Sequence, residues 1–97
     1  MKNFDIGQID EMIHARMRLG IMAYLADAEI ADFNALKTLL RATQGNLSVH
    51  LRKLEAAGYV AIDKGFSGRK PLTRVRMTPT GRKAFAAYIE ALVKLIA

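Results

Sequence analysis

The chain contains no cysteine and no tryptophan, and only two prolines and two histidines. Lack of cysteine excludes disulfides, zinc-cysteine sites and thiol nucleophiles, and it fits a reducing compartment. Long apolar runs are missing too. The longest stretches are a few residues, against the roughly 20 that a membrane-spanning helix needs. Met1 to Asp10 lacks the charged-then-apolar order of a signal peptide, so a cytoplasmic location without membrane attachment is expected. Catalysis requires an activated nucleophile or paired carboxylates around a pocket. Here His14 and His50 stand at unrelated spacings and six of the nine acids fall within residues 1–40. The expectation is therefore a protein that is not an enzyme and that takes no cofactor and no metal. There is no internal repeat, low-complexity tract or linker, and 97 residues suffice for one domain and are too few for two. One core over residues 1–97 is expected.

What the chain does have is apolar content and unevenly placed positive charge. It is 52% hydrophobic and 25% charged, the profile of a folded domain. Its net charge of +6 is not spread along the chain. Residues 1–40 carry four Lys/Arg and six Asp/Glu, residues 41–83 carry ten and two, and residues 84–97 carry one of each. A basic block of this kind points to a polyanionic partner, nucleic acid first and an acidic membrane surface second.

Periodicity orders the elements. Ile9, Met12, Ile13 and Met17, then Ile21, Met22 and Leu25, recur at three- and four-residue intervals and predict one or two helices from about Gln8 to Ala26. Asp32 can cap a short helix carrying Phe33, Leu36, Leu39 and Leu40, and a turn with Arg41 and Ala42 follows. Thr43 opens a third helix with Leu47, Leu51 and Leu54 on one stripe, and Gly58 stands where a left-handed cap belongs. Beyond it Tyr59, Val60 and Ile62, and then Leu72 to Met77, have strand character. Between these strands, Gly65 to Pro71 predicts a long basic loop. Thr78 and Pro79 form the N-cap and first turn of a last helix. The order helix, helix, helix, hairpin, helix predicts a mainly α fold with a small β-hairpin. It is a winged helix-turn-helix whose C-terminal helix serves dimerisation.

The sequence resembles the winged-helix regulators of the MarR and ArsR type, above all their short stand-alone relatives. The resemblance rests on Arg18, Leu19, Ile21 and Met22, on Phe33, Leu36 and Leu40, and on TQGNLSVHLRKLEAAGYV from Thr43 to Val60. It continues through GRKP at Gly68 to Pro71 and MTPTGRKAF at Met77 to Phe85. The segment from Thr43 is similar to the recognition helix of those proteins, and the later ones to their wing and the start of their last helix. The resemblance implies a double-stranded DNA-binding transcriptional regulator. The chain is shorter than a typical MarR protein and has no Asp/His cluster on its last helix, so no metal site is carried over and an effector is not assigned.

Individual candidates follow from helix geometry, at about 100° per residue. With Leu47, Leu51 and Leu54 inward, the residues Gly45, Asn46, Ser48, Val49, Arg52 and Lys53 turn outward or to the flanks. Thr43 and Gln44 at the helix start belong with them. Asn46 and Arg52 have the donor geometry for base edges, Ser48 can serve a base or a phosphate, and Gly45 permits close backbone approach. Lys64, Arg69, Lys70, Arg74 and Arg76 on the hairpin suit phosphate or minor-groove contact, with Arg41, Arg82 and Lys83 as less specific cations. On the last helix Phe85, Tyr88, Leu92 and Leu95 keep a seven-residue repeat with Ile89 and Ile96 alongside. They form an expected homodimer seam together with Phe4, Ile6 and Ile9. The leading reading is a sequence-specific regulator, a repressor by occlusion. Its alternatives are a protein interaction module on the same scaffold and a nonspecific architectural DNA binder.

Overall fold

The computed structural model describes residues 4–97, so residues 1–3 of the expected domain lie outside the described residues. After a 3-10 turn at Ile6–Gln8 the elements run α1 Arg16–Ala28, β1 Ile30–Asp32, α2 Phe33–Leu39, α3 Gln44–Ala56, β2 Val60–Ser67, β3 Lys70–Met77 and α4 Pro79–Ile96. The sheet is antiparallel with order β1-β3-β2.

Local chemistry sets most of these boundaries. Asp32, Thr43 and Thr78 each sit in extended backbone, and each side chain accepts a hydrogen bond from a first-turn amide, those of Asn34, Asn46 and Gly81. At the far end of α3, Gly58 takes φ +80°. There the amides of Gly58 and Tyr59 return to the carbonyls of Glu55 and Leu54, which closes a Schellman motif. The same motif ends α2, where the amides of Arg41 and Ala42 reach the carbonyls of Thr38 and Lys37. In that case the left-handed position, φ +53°, is held by Arg41.

The core is built from Ile13 of the N-terminal segment, Ile21, Met22 and Leu25 of α1, Leu36 of α2, and Leu47, Leu51 and Leu54 of α3, closed by Val60, Val75 and Tyr88. Three expectations need correction. Residues 9–15 are not helical, because the Asp10 carboxylate closes a turn with one oxygen and ties it to Tyr59 with the other. Oδ1 accepts from the amides of Met12 and Ile13, and Oδ2 accepts from the Tyr59 hydroxyl at 2.6 Å. A third strand, β1, pairs Ile30 to Asp32 with Arg76 to Arg74. And the long loop from Gly65 to Pro71 is a regular ladder that extends to Ser67↔Lys70. Only Gly68 and Arg69 lie between the strands, with positive φ at Gly68 alone, as a type II′ turn requires.

Candidate nucleic-acid interface

Helix α3 lies with its leucine stripe fully buried, so its remaining faces divide by angle. Gln44, Ser48 and Arg52 follow one another at i+4 along the flank turned to the hairpin. With Ile62, Lys64 and Thr73 they line a groove of about 640 Å3 between α3 and the sheet. Gly45 and Val49 lie opposite the buried stripe, and Val49 is 49% exposed. A valine there is suited to a thymine methyl group. Asn46 and Lys53 occupy the other flank, both exposed. A Cβ on Gly45 would meet nothing within 4 Å. Its lack of a side chain therefore serves no packing within the protein.

Strand register decides where the hairpin cations point, because directly opposed residues share a face. The pairs Val60↔Met77, Ile62↔Val75, Lys64↔Thr73 and Phe66↔Pro71 form the face turned to the core and the groove. Asp63↔Arg74 and Ser67↔Lys70 form the opposite face. Lys64 therefore joins the groove beside α3, whereas Arg74 does not, and Arg69 stands at the tip. Arg76 is drawn into an ion pair with Asp63 at 3.1 Å, and Arg82 donates to the Ala26 carbonyl at 3.2 Å. Among the described residues Arg52, Lys53, Lys64, Arg69, Lys70 and Arg74 make no ion pair. Sequence reasoning missed Thr73 in the groove wall and Phe66 near the tip. The alternation Val60, Ile62, Lys64, Phe66 was the signal for the second, and Gly65 obscured it.

His50, on the flank of α3 beside Asn46, is tied to the first helix. Arg18 donates through Nε to the Met12 carbonyl at 2.6 Å and through Nη1 to His50 Nδ1 at 2.9 Å. A guanidinium can only donate, so Nδ1 accepts and the proton resides on Nε2. Desolvation, then the charges of Arg18 and Lys53, lower the His50 pKa, which keeps the ring neutral at pH 7. On the other side of the recognition helix exit, Tyr59 is pushed up to about 12, first by its hydrogen bond to Asp10 and then by desolvation. Among the described residues no group of three or more His, Cys, Asp or Glu could hold a metal ion.

The C-terminal helix departs from the expected seam. Tyr88 is 1% exposed and its hydroxyl lies 2.7 Å from His14 Nδ1, so it belongs to the protomer's own core. Phe85, Leu92 and Leu95 are half-buried and pack on that core as well. The apolar residues that face solvent are Ile89, Val93 and Ile96, at i, i+4 and i+7 on one stripe. Among the described residues no helix is long and apolar enough to cross a membrane.

A family model described as a winged helix DNA-binding domain matches residues 17–96. An uncharacterised protein of Methanocaldococcus jannaschii is 36% identical over 85 residues, covering 88% of this chain and 92% of that protein. The structure of a transcriptional regulator homologue from Pyrococcus horikoshii superposes with a TM-score of 0.85 at 32% identity, over 90% of this chain and 86% of that one. A MarR family regulator from Silicibacter pomeroyi shares the fold alone, at a TM-score of 0.63 and 23% identity over 87% of this chain and 53% of its own. The chain thus belongs to the winged-helix DNA-binding domain family, among the transcriptional regulators.

Proposed function

We propose that the protein is a sequence-specific double-stranded DNA-binding regulator that acts in the cytoplasm as a homodimer and represses by occluding its site. One observation carries this reading. An exposed helix face bearing Gly45, Asn46 and Val49 stands next to a basic hairpin whose Lys64, Arg69 and Lys70 make no ion pair among the described residues. In this arrangement the outward face of α3 enters the major groove, where Asn46 and Gln44 in the first turn meet base edges. Lys64, with the Ser48 and Thr73 hydroxyls along the same groove, meets a phosphate of the flanking strand, and Arg52 in that groove faces either a base edge or the same phosphate. Arg69 reaches the next minor groove. Selection from random-sequence duplexes tests the whole reading. An enriched palindrome supports it, uniform retention points instead to an architectural binder, and no retention to a protein interaction module.

A single reading head of this size has limited affinity, and a two-fold pair reads half-sites roughly 34–36 Å apart. The surface proposed for pairing is the exposed stripe Ile89, Val93 and Ile96. The protein is expected to sediment as a dimer, and Ile89→Glu with Val93→Glu should convert it to a folded monomer with weakened DNA binding. A wild-type monomer at tens of micromolar would defeat the pairing.

A further inference from the structure

The groove-facing side of the hairpin continues past the core into solvent. Along β2 its residues become progressively more exposed, from Val60 at 2% through half-buried Ile62 and exposed Lys64 to Phe66, which is 75% exposed. Phe66 lies opposite Pro71, so the last-but-one rung of the ladder is an apolar pair standing in water. Lys64 shares this face of the hairpin and Arg69 stands at its tip, and neither makes an ion pair among the described residues. Phe66 makes no ring contact among the described residues. The ring adds little to the fold, since a phenylalanine at a strand end that is 75% exposed leaves most of its apolar area in water.

The surface that fits it must accept an aromatic ring and two cations within one turn of chain. An apolar protein pocket would desolvate those cations without compensation, and a second copy of this hairpin would repel them. A DNA strand alternates apolar deoxyribose with anionic phosphate at a spacing that offers both. The minor-groove wall consists of sugar edges, and other proteins that bind there bring apolar side chains into that groove.

We propose that Phe66 packs its ring on deoxyribose at the minor-groove edge while Lys64, on the same face of the hairpin, and Arg69, at its tip, meet the adjoining phosphates. This rests on the DNA-binding reading above and adds an apolar, sequence-independent contact to it. Such a contact leaves a distinct trace in salt titrations. Removing a phosphate contact lowers the slope of binding against salt, whereas removing a sugar contact lowers affinity at every salt concentration and leaves the slope unchanged.

The experiment measures dissociation constants of the whole protein on a random-sequence duplex across a range of salt, for wild type, Phe66→Ala, Phe66→Leu and Arg69→Ala. Phe66→Ala should bind about tenfold more weakly at every salt with the wild-type slope, for the apolar area it no longer buries. Phe66→Leu should recover most of the loss, and Arg69→Ala should lower the slope by about one per contact. All variants should melt with wild type, because the ring is exposed. Wild-type affinity in Phe66→Ala overturns the proposal. So does a lowered slope in that variant, which would mean that the ring only holds the neighbouring cations in place. Retention by anionic phosphatidylglycerol vesicles that is lost in Phe66→Ala, with duplex binding intact, would assign the ring to a lipid surface instead. If wild type binds no duplex at all, the underlying DNA-binding reading fails, which is a different result from a silent Phe66.

Discussion

Asn46→Ala is expected to cost about 1–3 kcal/mol on the selected operator and little on random-sequence duplex, so that the specificity ratio falls. Asn46 projects from the first turn of α3, exposed, and its backbone amide is already satisfied by the Thr43 hydroxyl at 3.1 Å. Its carboxamide is thus free to pair with a base edge without loosening the helix. Arg69→Ala should instead weaken operator and random duplex nearly alike and lower the salt slope by about one per contact, or about two per dimer. If the tip reads a narrow minor groove, the same variant should lose more on A·T-rich flanks than on G·C-rich ones. Arg52→Ala discriminates between roles, because Arg52 shares its groove with Lys64. A fall in specificity ratio marks it as a base reader, a fall in slope as a phosphate contact. Equal loss on both duplexes for Asn46→Ala, together with no loss for Arg69→Ala, would defeat the assignment of helix and wing.

The largest effect on folding is expected at Gly81. A Cβ there would lie 2.0 Å from the Tyr59 carbonyl oxygen, which is main chain and cannot swing aside. That oxygen also accepts the Thr78 amide at 3.1 Å, so the start of α4 is pressed directly onto the residue that leaves the recognition helix. Gly81→Ala must push α4 off this seat and with it Tyr88, which closes the core. A loss of about 3 kcal/mol or more is expected, since overpacking against main chain exceeds the usual range for a flexible neighbour. For a domain of this size that is roughly 10–20 °C in melting temperature. Gly65→Ala serves as the control, because a methyl there meets nothing within 4 Å and φ is not in the left-handed region. It should stay within about 0.5 kcal/mol. Melting of Gly81→Ala within two or three degrees of wild type would show that the helix can slide at little cost.

The boundaries written in local chemistry were legible before any coordinates. Asp32, Thr43 and Thr78 announce helix starts through side-chain oxygens that cap amides two or three residues on, and Gly58 announces a stop through its left-handed backbone. The outward face of α3 was legible for the same reason, since 100° per residue needs no tertiary knowledge. What was not legible depends on pairing between distant segments. Strand β1 is three residues long and exists only because β3 lies beside it. The outer part of the hairpin was read as a loop because it contains Gly65 and Pro71. Proline is tolerated there because β1 pairs only with Arg74 to Arg76, which leaves the other edge of β3 open at Pro71. The face assignment that separates Lys64 from Arg74 needs the register, and sequence does not supply it. On α4 the stripe of Phe85, Tyr88, Leu92 and Leu95 was correctly apolar. An apolar stripe does not say whether it meets its own protomer or another, and the His14 contact of Tyr88 is what settles that residue.

The passage from the end of α2 into the first turn of α3 holds two residues that folding alone would exchange for others. Arg41 occupies a left-handed position where glycine is at ease and a side chain costs about 1–2 kcal/mol. Four residues on, Gly45 occupies an open helical position where alanine would gain roughly 0.5–1 kcal/mol. A library sorted only for resistance to heat should therefore converge on Arg41→Gly and Gly45→Ala, and the same library sorted for duplex binding should discard both. On the function proposed above, the start of α3 is where the sequence records a demand that its own fold does not make.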